Sequence, residues 1–247
     1  MSSRRILSKW KKTKILQDSS LSTYIPKTSV YSALRLKEML NQYQMVYVKP
    51  DLGTHGKGVM RVTQRANNSF ELREGTSTST FTDIESLTAK IKKRIRKRKY
   101  LIQQGIHMLS HRGRKFDLRV FVQKNLNNKW EVMSILGRKA AAHKIVTNVS
   151  SGGKMESLRV LMKPHSNGSS IRQLRSELER IGLSVGTQLS KKHKSLKELG
   201  LDIALDTNKH PWILEVNTKP AIYVYRTFNP AAYRRIVRNA KAYGRLK

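Results

Sequence analysis

The chain contains no cysteine. That excludes a disulfide framework, a thiolate nucleophile and a zinc–thiolate site, and it fits a reducing compartment. Acidic residues are scarce: 16 Asp and Glu stand against 50 Lys and Arg, a formal net charge of +34. Such a field favours polyanions, whether nucleotides, nucleic acid, acidic polymers or anionic surfaces. Long apolar runs are missing too, and the opening MSSRRILSKWKK lacks the apolar centre of a signal peptide. No membrane span is therefore expected, and the expected location is cytoplasmic. Internal repeats and long linkers are absent as well. What is present is 247 residues, 38% of them hydrophobic, with a mean hydropathy of −0.55. That is ample for one large or two small globular domains.

The most informative stretch runs from Glu198 to Pro220, ELGLDIALDTNKHPWILEVNTKP. Two short apolar runs flank a turn-rich centre, which predicts a β-hairpin. With Asn208-Lys209 as a two-residue loop, Asp202 faces Glu215 across the ladder. One face then carries Leu201, Ile203, Leu205, Trp212, Leu214 and Val216. The other carries Asp202, Ala204, Ile213, Glu215 and Asn217. Opposed residues have Cβ atoms about 4.5–5.5 Å apart, so two carboxylates there repel unless a proton or a cation intervenes. Two acids and an amide oxygen form a hard donor set suited to Mg²⁺ or Mn²⁺ shared with phosphate oxygens. The plain alternative is a hairpin whose solvated face happens to be acidic.

Met45 to Gln64, MVYVKPDLGTHGKGVMRVTQ, is a strand ending in Lys49-Pro50, a loop with Gly53, Gly56 and Gly58, and a second strand. Glycines let backbone N–H groups approach phosphates where a Cβ would collide, and Lys49 is placed to add a point charge. The spacing fits neither a Walker A loop nor a dinucleotide fingerprint. An ordinary glycine-rich hairpin loop is the alternative.

Elsewhere the patterns are mostly structural. Thr28–Leu40 reads as a helix with Val30, Leu34, Met39 and Leu40 as its apolar positions. Phe70–Arg73 reads as a strand beside a Ser/Thr-rich loop. Asp83–Lys99 reads as a helix whose isoleucines keep their spacing through KKRIRKRK, so that run is first a solvated basic face and second a polyanion patch. Tyr100–Ile106 is a buried strand. Phe116–Lys124 alternates, with Asp117 and Arg119 on one face, and an Arg there can clamp phosphate. Lys129–Ala141 is a strand ending near Gly137-Arg138, and Thr147-Asn148 to Gly152-Gly153 is a polar loop. Ile171–Leu189 and Pro230–Leu246 read as helices. His107 and His111 sit among loop signals and do not suggest zinc.

Taken in order, these features resemble the ATP-grasp superfamily. The phrases YIPKT, VYVKPDLGTHGKGV, YLIQQGI, FDLRVFVQK and ILEVNTKPA are most similar to its endospore coat-associated, YheC/YheD-type branch. The likeness runs from about Leu7 onward. It implies an α+β ATP-grasp fold, with two lobes and their antiparallel sheets sandwiching the nucleotide. Residues 1–44 would form an N-terminal extension, 45–106 a small lobe with the glycine loop, and 107–247 a large lobe with the metal-binding hairpin. By the same resemblance Lys49 and Lys9 bind phosphates under a mobile loop of Gly53, His55, Gly56, Lys57 and Gly58. The backbone of Gln104 and Ile106 contacts adenine, and Gln103 and Asn148 lie at the nucleotide. Arg119 and Arg138 address the terminal phosphate or a substrate acid, Lys219 lies near the acceptor, and Asp202, Glu215 and Asn217 hold Mg²⁺ or Mn²⁺.

The function so implied is ATP-dependent carboxylate–amine ligation through an acylphosphate, which needs metal and cations rather than a nucleophilic dyad. Its partners would be ATP and an acidic substrate or polyanionic surface. Two rivals stand beside it. One is a non-catalytic component of the spore coat, spore-associated and bound to coat proteins; the other is a protein whose basic charge is itself the function. Only 48 residues precede Lys49, too few for the N-terminal α/β domain that helps many ATP-grasp enzymes bind substrate.

Overall fold

A computed structural model of the chain describes residues 5–54, 56–140 and 154–246. The elements in order are α1 (Lys9–Gln17), β1 (Thr28–Val30), α2 (Ala33–Tyr43), β2 (Met45–Pro50), β3 (Met60–Gln64), β4 (Phe70–Glu74), β5 (Ser77–Phe81), α3 (Ile84–Ile95) and β6 (Tyr100–Gln104). Next come β7 (Ser110–His111), β8 (Arg114–Lys124), β9 (Trp130–Lys139), β10 (Lys154–Ser157), α4 (Leu158–Met162) and α5 (Gly168–Lys192). The chain closes with β11 (Glu198–Leu205), β12 (Pro211–Asn217), α6 (Val224–Phe228) and α7 (Pro230–Ala242). Among the described residues no helix is long and apolar enough to cross a membrane.

The strands form two antiparallel sheets. The first has the order β1-β6-β2-β3-β4-β5, and the second β10-β9-β8-β11-β12 with β7 paired to β8. Helices α2 and α3 cover the first sheet. Their stripes of Leu36, Met39 and Leu40, and of Leu87, Ile91 and Ile95, pack on Val46, Val48, Val62 and Ile102. Asp83 starts α3 by accepting a hydrogen bond from Ser86 N at 2.7 Å, as an N-cap should. The second sheet is buried on both faces. Phe116, Leu118, Val120 and Val122 of β8 meet α5 through Leu178, Ile181, Val185 and Leu189. On the opposite face Phe121 meets Tyr225 and Ile236 of α6 and α7.

Several local expectations change. Thr28–Val30 is not the start of a helix but an edge strand on β6, with Thr28 opposite Gln103. The helix begins only after Ser32, which caps it through Arg35 N, and Val30 and Leu34 are left exposed. β-Branched Thr and Val go to the ladder because a partner strand is available, a fact outside the local window. The Ser/Thr-rich segment after β4 pairs with it as β5. The helix expected to reach Lys99 stops at Ile95, where Arg96 takes φ +52°.

The first 44 residues are shared between the two sheets. β1 and α2 belong to the first, whereas Ile15 and Leu16 of α1 join the core of the second. This N-terminal helix, which periodicity did not announce, carries two of the charges described next.

Candidate functional site

The hairpin of β11 and β12 places Asp202 directly opposite Glu215 and Gly200 opposite Asn217. From there towards the turn the register shifts: Ile203 pairs with Ile213, which leaves Leu214 as an extra residue. Ile213 and Val216 consequently both enter the core. The expected faces are thus corrected on the turn side: Ile213 joins the face of Ile203, Trp212 moves to the face of Ala204, and Leu214 becomes the bulge. The turn is also longer than two residues. Asp206 holds it by accepting from Asn208 N and His210 N, both at 2.9 Å, and from Trp212 Nε1 at 2.9 Å. A bulge re-aims the backbone around it, and here the carbonyl of Leu214 accepts a hydrogen bond from Lys49 Nζ at 3.1 Å.

That bond joins the two sheets. Lys49, near the end of β2, also donates to Gln103 Oε1 at 2.8 Å, and Gln103 in turn donates to Thr28 Oγ1 at 3.0 Å. Lys9, buried at the start of α1, donates to Gly53 O at 2.8 Å and lies 3.6 Å from Glu215 Oε1. A small cavity between the sheets is lined by Lys9, Lys12, Lys49, Leu214 and Glu215. Burial pushes the ammonium groups of both Lys12 and Lys49 down to about 8, against a partial opposing pull from Glu215. Three lysines thus line the cavity with Glu215, while Asp51 acts on Lys12 and Asp202 on Lys49 from further off.

Two members of this arrangement were not foreseen. Lys12 is buried and donates to Ile6 O at 3.0 Å. Its only signal in the sequence is a Lys three residues after Lys9, on the same helix face as Leu16. Asp51 is buried as well. It accepts from Ser8 Oγ at 2.9 Å and from Trp10 N at 2.7 Å, so it pins the N-terminus of α1, and with it Lys9, against the glycine loop.

One strand further into the second sheet, Asp202 accepts from Arg119 Nε at 2.6 Å and lies 3.0 Å from an Arg138 nitrogen. Arg138 also grips Asp117 through two bonds of 2.8 and 2.5 Å. Arg138 is thus a partner of Asp117 as well as of Asp202. Burial alone would raise the Asp202 carboxyl, yet the two guanidinium groups hold it below its usual range. Burial likewise opposes the charge on Arg138, and Asp202 with Asp117 more than restore it.

Other expected residues are placed as follows. Gly53, Gly56 and Gly58 have φ of +141°, +72° and +75°, and a Cβ on Gly58 would lie 2.8 Å from the Tyr100 hydroxyl. Lys57 is exposed in that loop; His55 and Asn148 fall outside the described residues. Gln104 and Ile106 lie at the crossing between the sheets, where Gln104 N donates to Lys27 O at 2.8 Å and Gly105 N to Met45 O at 2.8 Å. Lys219 is exposed just past the hairpin.

Among the described residues, no three His, Asp or Glu gather closely enough to cage a metal ion. The hard oxygen donors nearest one another in the ladder are those of Asp202 and Glu215, directly opposed, with Asn217 two residues along β12. Such a partial set of hard oxygens fits Mg²⁺, which keeps water and phosphate oxygens in its shell, better than an all-protein Ca²⁺ cage.

Comparison with known proteins places the chain in a family. The family model described as YheC/D-like ATP-grasp matches residues 1–246. Endospore coat-associated protein YheD of Bacillus subtilis (strain 168) is 25% identical over 230 residues, covering 90% of this chain and 50% of that protein. Endospore coat-associated protein YheC of the same organism is 26% identical over 208 residues, covering 83% and 57%. The chain thus spans about half the length of these curated relatives. Among solved structures, the D-cycloserine synthetase DcsG is similar with a TM-score of 0.59 at 12% identity, covering 98% of this chain and 70% of that one. The ADP complex of purK, N5-carboxyaminoimidazole ribonucleotide synthetase, gives 0.56 at 10% identity, covering 95% and 51%. The ATP-grasp ligase PsnB, complexed with minimal precursor, gives 0.55 at 12%, covering 94% and 60%. At these identities the structural likeness establishes the fold.

Proposed function

The chain belongs to the YheC/D-like ATP-grasp family, and on that premise we propose that it binds Mg-ATP between its two sheets and ligates a carboxylic acid to an amine. The observation that carries this reading is the meeting of Lys49 from the first sheet, Lys9 from α1 and Glu215 from the second sheet at one cavity. Lys9, Lys12 and Lys49 neutralise the polyphosphate, while Gly53 to Gly58 lie over it. Asp202, Glu215 and Asn217 would hold Mg²⁺, and that ion would supply positive charge beside the phosphoryl oxygens. A substrate carboxylate oxygen attacks the terminal phosphorus and ADP departs. An amine nitrogen then attacks the acyl carbon, the C–O bond to phosphate breaks, and the amine proton passes to solvent. Arg119 and Arg138 stabilise the negative oxygens in both steps.

The test is phosphate release. Rates with Mg-ATP should rise when an acid and an amine that form the product are both supplied. Mg-ATP binding that no acidic amino acid, peptide or polymer converts into faster phosphate release would instead favour a non-catalytic role like that suggested by the names of the coat-associated relatives.

The lysine pair gives a pH signature. Below about pH 8 both Lys12 and Lys49 are charged in the free protein, so they add no pH dependence there. Above it, binding a polyphosphate must first return protons to them. Mg-ATP affinity should therefore fall between pH 8 and 9.5, by up to about tenfold per unit for each lysine. Calorimetry in buffers of different ionisation enthalpy should show proton uptake in that window and none at pH 7.

A second surface bears on the substrate. Lys92, Lys93, Arg94 and the four cations from Arg96 to Lys99 are all exposed. This run adjoins the glycine loop, since Asp51 N donates to Lys99 O at 3.0 Å. It would gather an acidic partner at the mouth of the cleft. Replacing Lys92, Lys93, Lys97 and Lys99 with glutamine should weaken heparin or DNA binding and flatten its salt slope by about three to four counterions. Mg-ATP affinity at about 0.3 M salt, where loosely held polyanions dissociate, should be little changed. Polyanion binding with a steep salt slope, and no Mg-ATP binding at any salt, would make the basic surface the function.

A further inference from the structure

Tyr225 of α6 is fully buried, yet its hydroxyl has no hydrogen-bond partner among the described residues. Buried hydroxyls nearly always find one, because leaving the donor unpaired costs the fold its lost hydration. Packing does not explain the group. The ring stacks edge-on against Phe121, with centroids 5.2 Å apart at 75°, and the surrounding cluster of Met133, Leu136, Ile222 and Ile236 would accept a phenylalanine equally well.

Position explains it better. Phe121 lies on the face of β8 that also carries Asp117 and Arg119. The charges acting on the Tyr225 hydroxyl are those of Arg119, Arg138 and Asp202. Burial raises the phenol well above its ordinary value, so at neutral pH it remains a donor. Arg119 and Arg138 cannot accept that proton, because a guanidinium offers only N–H groups. The carboxylate oxygens of Asp202 already receive the two arginines.

We propose that the Tyr225 hydroxyl donates a hydrogen bond to a substrate oxyanion held by Arg119 and Arg138, either the terminal phosphoryl group of ATP or the carboxylate of the acid. This inference rests on the ATP-dependent reading above. It makes Tyr225 a group that touches substrate and gives a physical reason for keeping an unpaired hydroxyl in an apolar cluster.

The experiment is Tyr225→Phe. Three affinities are measured by calorimetry: Mg-ATP, Mg-ADP, and inorganic phosphate added to the Mg-ADP complex. Thermal unfolding is followed in parallel. The fold should be as stable as wild type or slightly more so, since an unsatisfied hydroxyl has been removed. One oxyanion probe should weaken about tenfold. Loss for Mg-ATP with Mg-ADP unchanged supports contact with the terminal phosphoryl group. Loss confined to inorganic phosphate supports the position of the acid. Three unchanged affinities would overturn the inference while leaving the nucleotide reading intact. A clearly lowered unfolding temperature would also overturn it, because the hydroxyl would then be bonded within the fold. If wild-type protein binds no Mg-ATP, the nucleotide reading fails first and the inference falls with it.

Discussion

Replacing Lys49 with alanine is expected to weaken Mg-ATP binding by about 10- to 100-fold while leaving the fold intact. The size follows from the loss of hydrogen bonds from a charged donor, each about 1.5–3 kcal/mol, at about 1.4 kcal/mol per factor of ten. In the free protein this ammonium is satisfied by Gln103 Oε1 and the Leu214 carbonyl, both neutral acceptors, and Glu215 and Asp202 offset its charge only in part. Burial has already lowered its affinity for a proton. Below about pH 8 the charge therefore costs the fold free energy that alanine would return, partly offset by two acceptors left without their donor. Thermal unfolding at pH 7 should consequently move by only a few degrees. Lys93→Ala, an exposed control on α3, should change neither quantity. Calorimetry showing Lys49→Ala at wild-type affinity would remove this residue from the nucleotide site and, with it, the contact that joins the sheets there.

The acidic pair on the hairpin should separate chemistry from stability. Glu215→Gln is expected to lower metal-dependent phosphate release by about 100-fold or more, the range seen when a preorganised transition-state contact is lost. Stability should hardly change, since the ion-pair partner of Glu215 is Lys9 at 3.6 Å and its side chain is 31% exposed. Asp202→Asn should lower turnover similarly but also destabilise the protein. It removes a buried carboxylate that serves Arg119 and Arg138 together, and unpairing a buried ion pair costs about 3–5 kcal/mol. The true figure falls at the lower end, because Asp117 continues to serve Arg138. Asn217→Leu should reduce turnover with little change in stability. Nucleotide binding without metal should be less affected by all three. Phosphate release and Mg²⁺ titration, read beside thermal unfolding, give the test. Wild-type turnover in every variant would leave the acidic face as a solvated hairpin and nothing more.

The anchoring of α1 links these two results. Lys9 reaches Glu215 because Asp51, in the loop after β2, holds the first turn of the helix through Ser8 and Trp10. In the proposed complex a nucleotide on Lys49 and Lys9 would be held by one unit made from the N-terminus and the glycine loop, while the hairpin would supply the metal ligands from the other sheet. Binding energy gathered on one side would then bear on chemistry arranged by the other.

By itself the sequence determined whatever depends on a local period. Alternation along Phe116–Lys124 put Arg119 and Asp117 on one face, whereas Asp202 stands across from Glu215 as expected only because the bulge offsets a longer turn. The isoleucine stripe of α3 and the long stripe of α5 declared their buried sides. The strand–Lys–glycine order marked Lys49, and the ordered set of motifs carried the family. Tertiary structure decided everything that pairs distant residues. The bulge at Leu214 reversed the sides of its neighbours, because a single unpaired residue shifts a period of two by one step. Its carbonyl meets a lysine 165 positions away in the chain, a separation no local window spans. Thr28–Val30 became a strand only because β6 had a free edge. Lys12 and Asp51 look like ordinary surface charges until α1 packs against the second sheet and closes water out around them. Arg119 and Arg138 meet on Asp202 only when β8, β9 and β11 are assembled, and Tyr225 meets Phe121 only once α6 packs on the sheet.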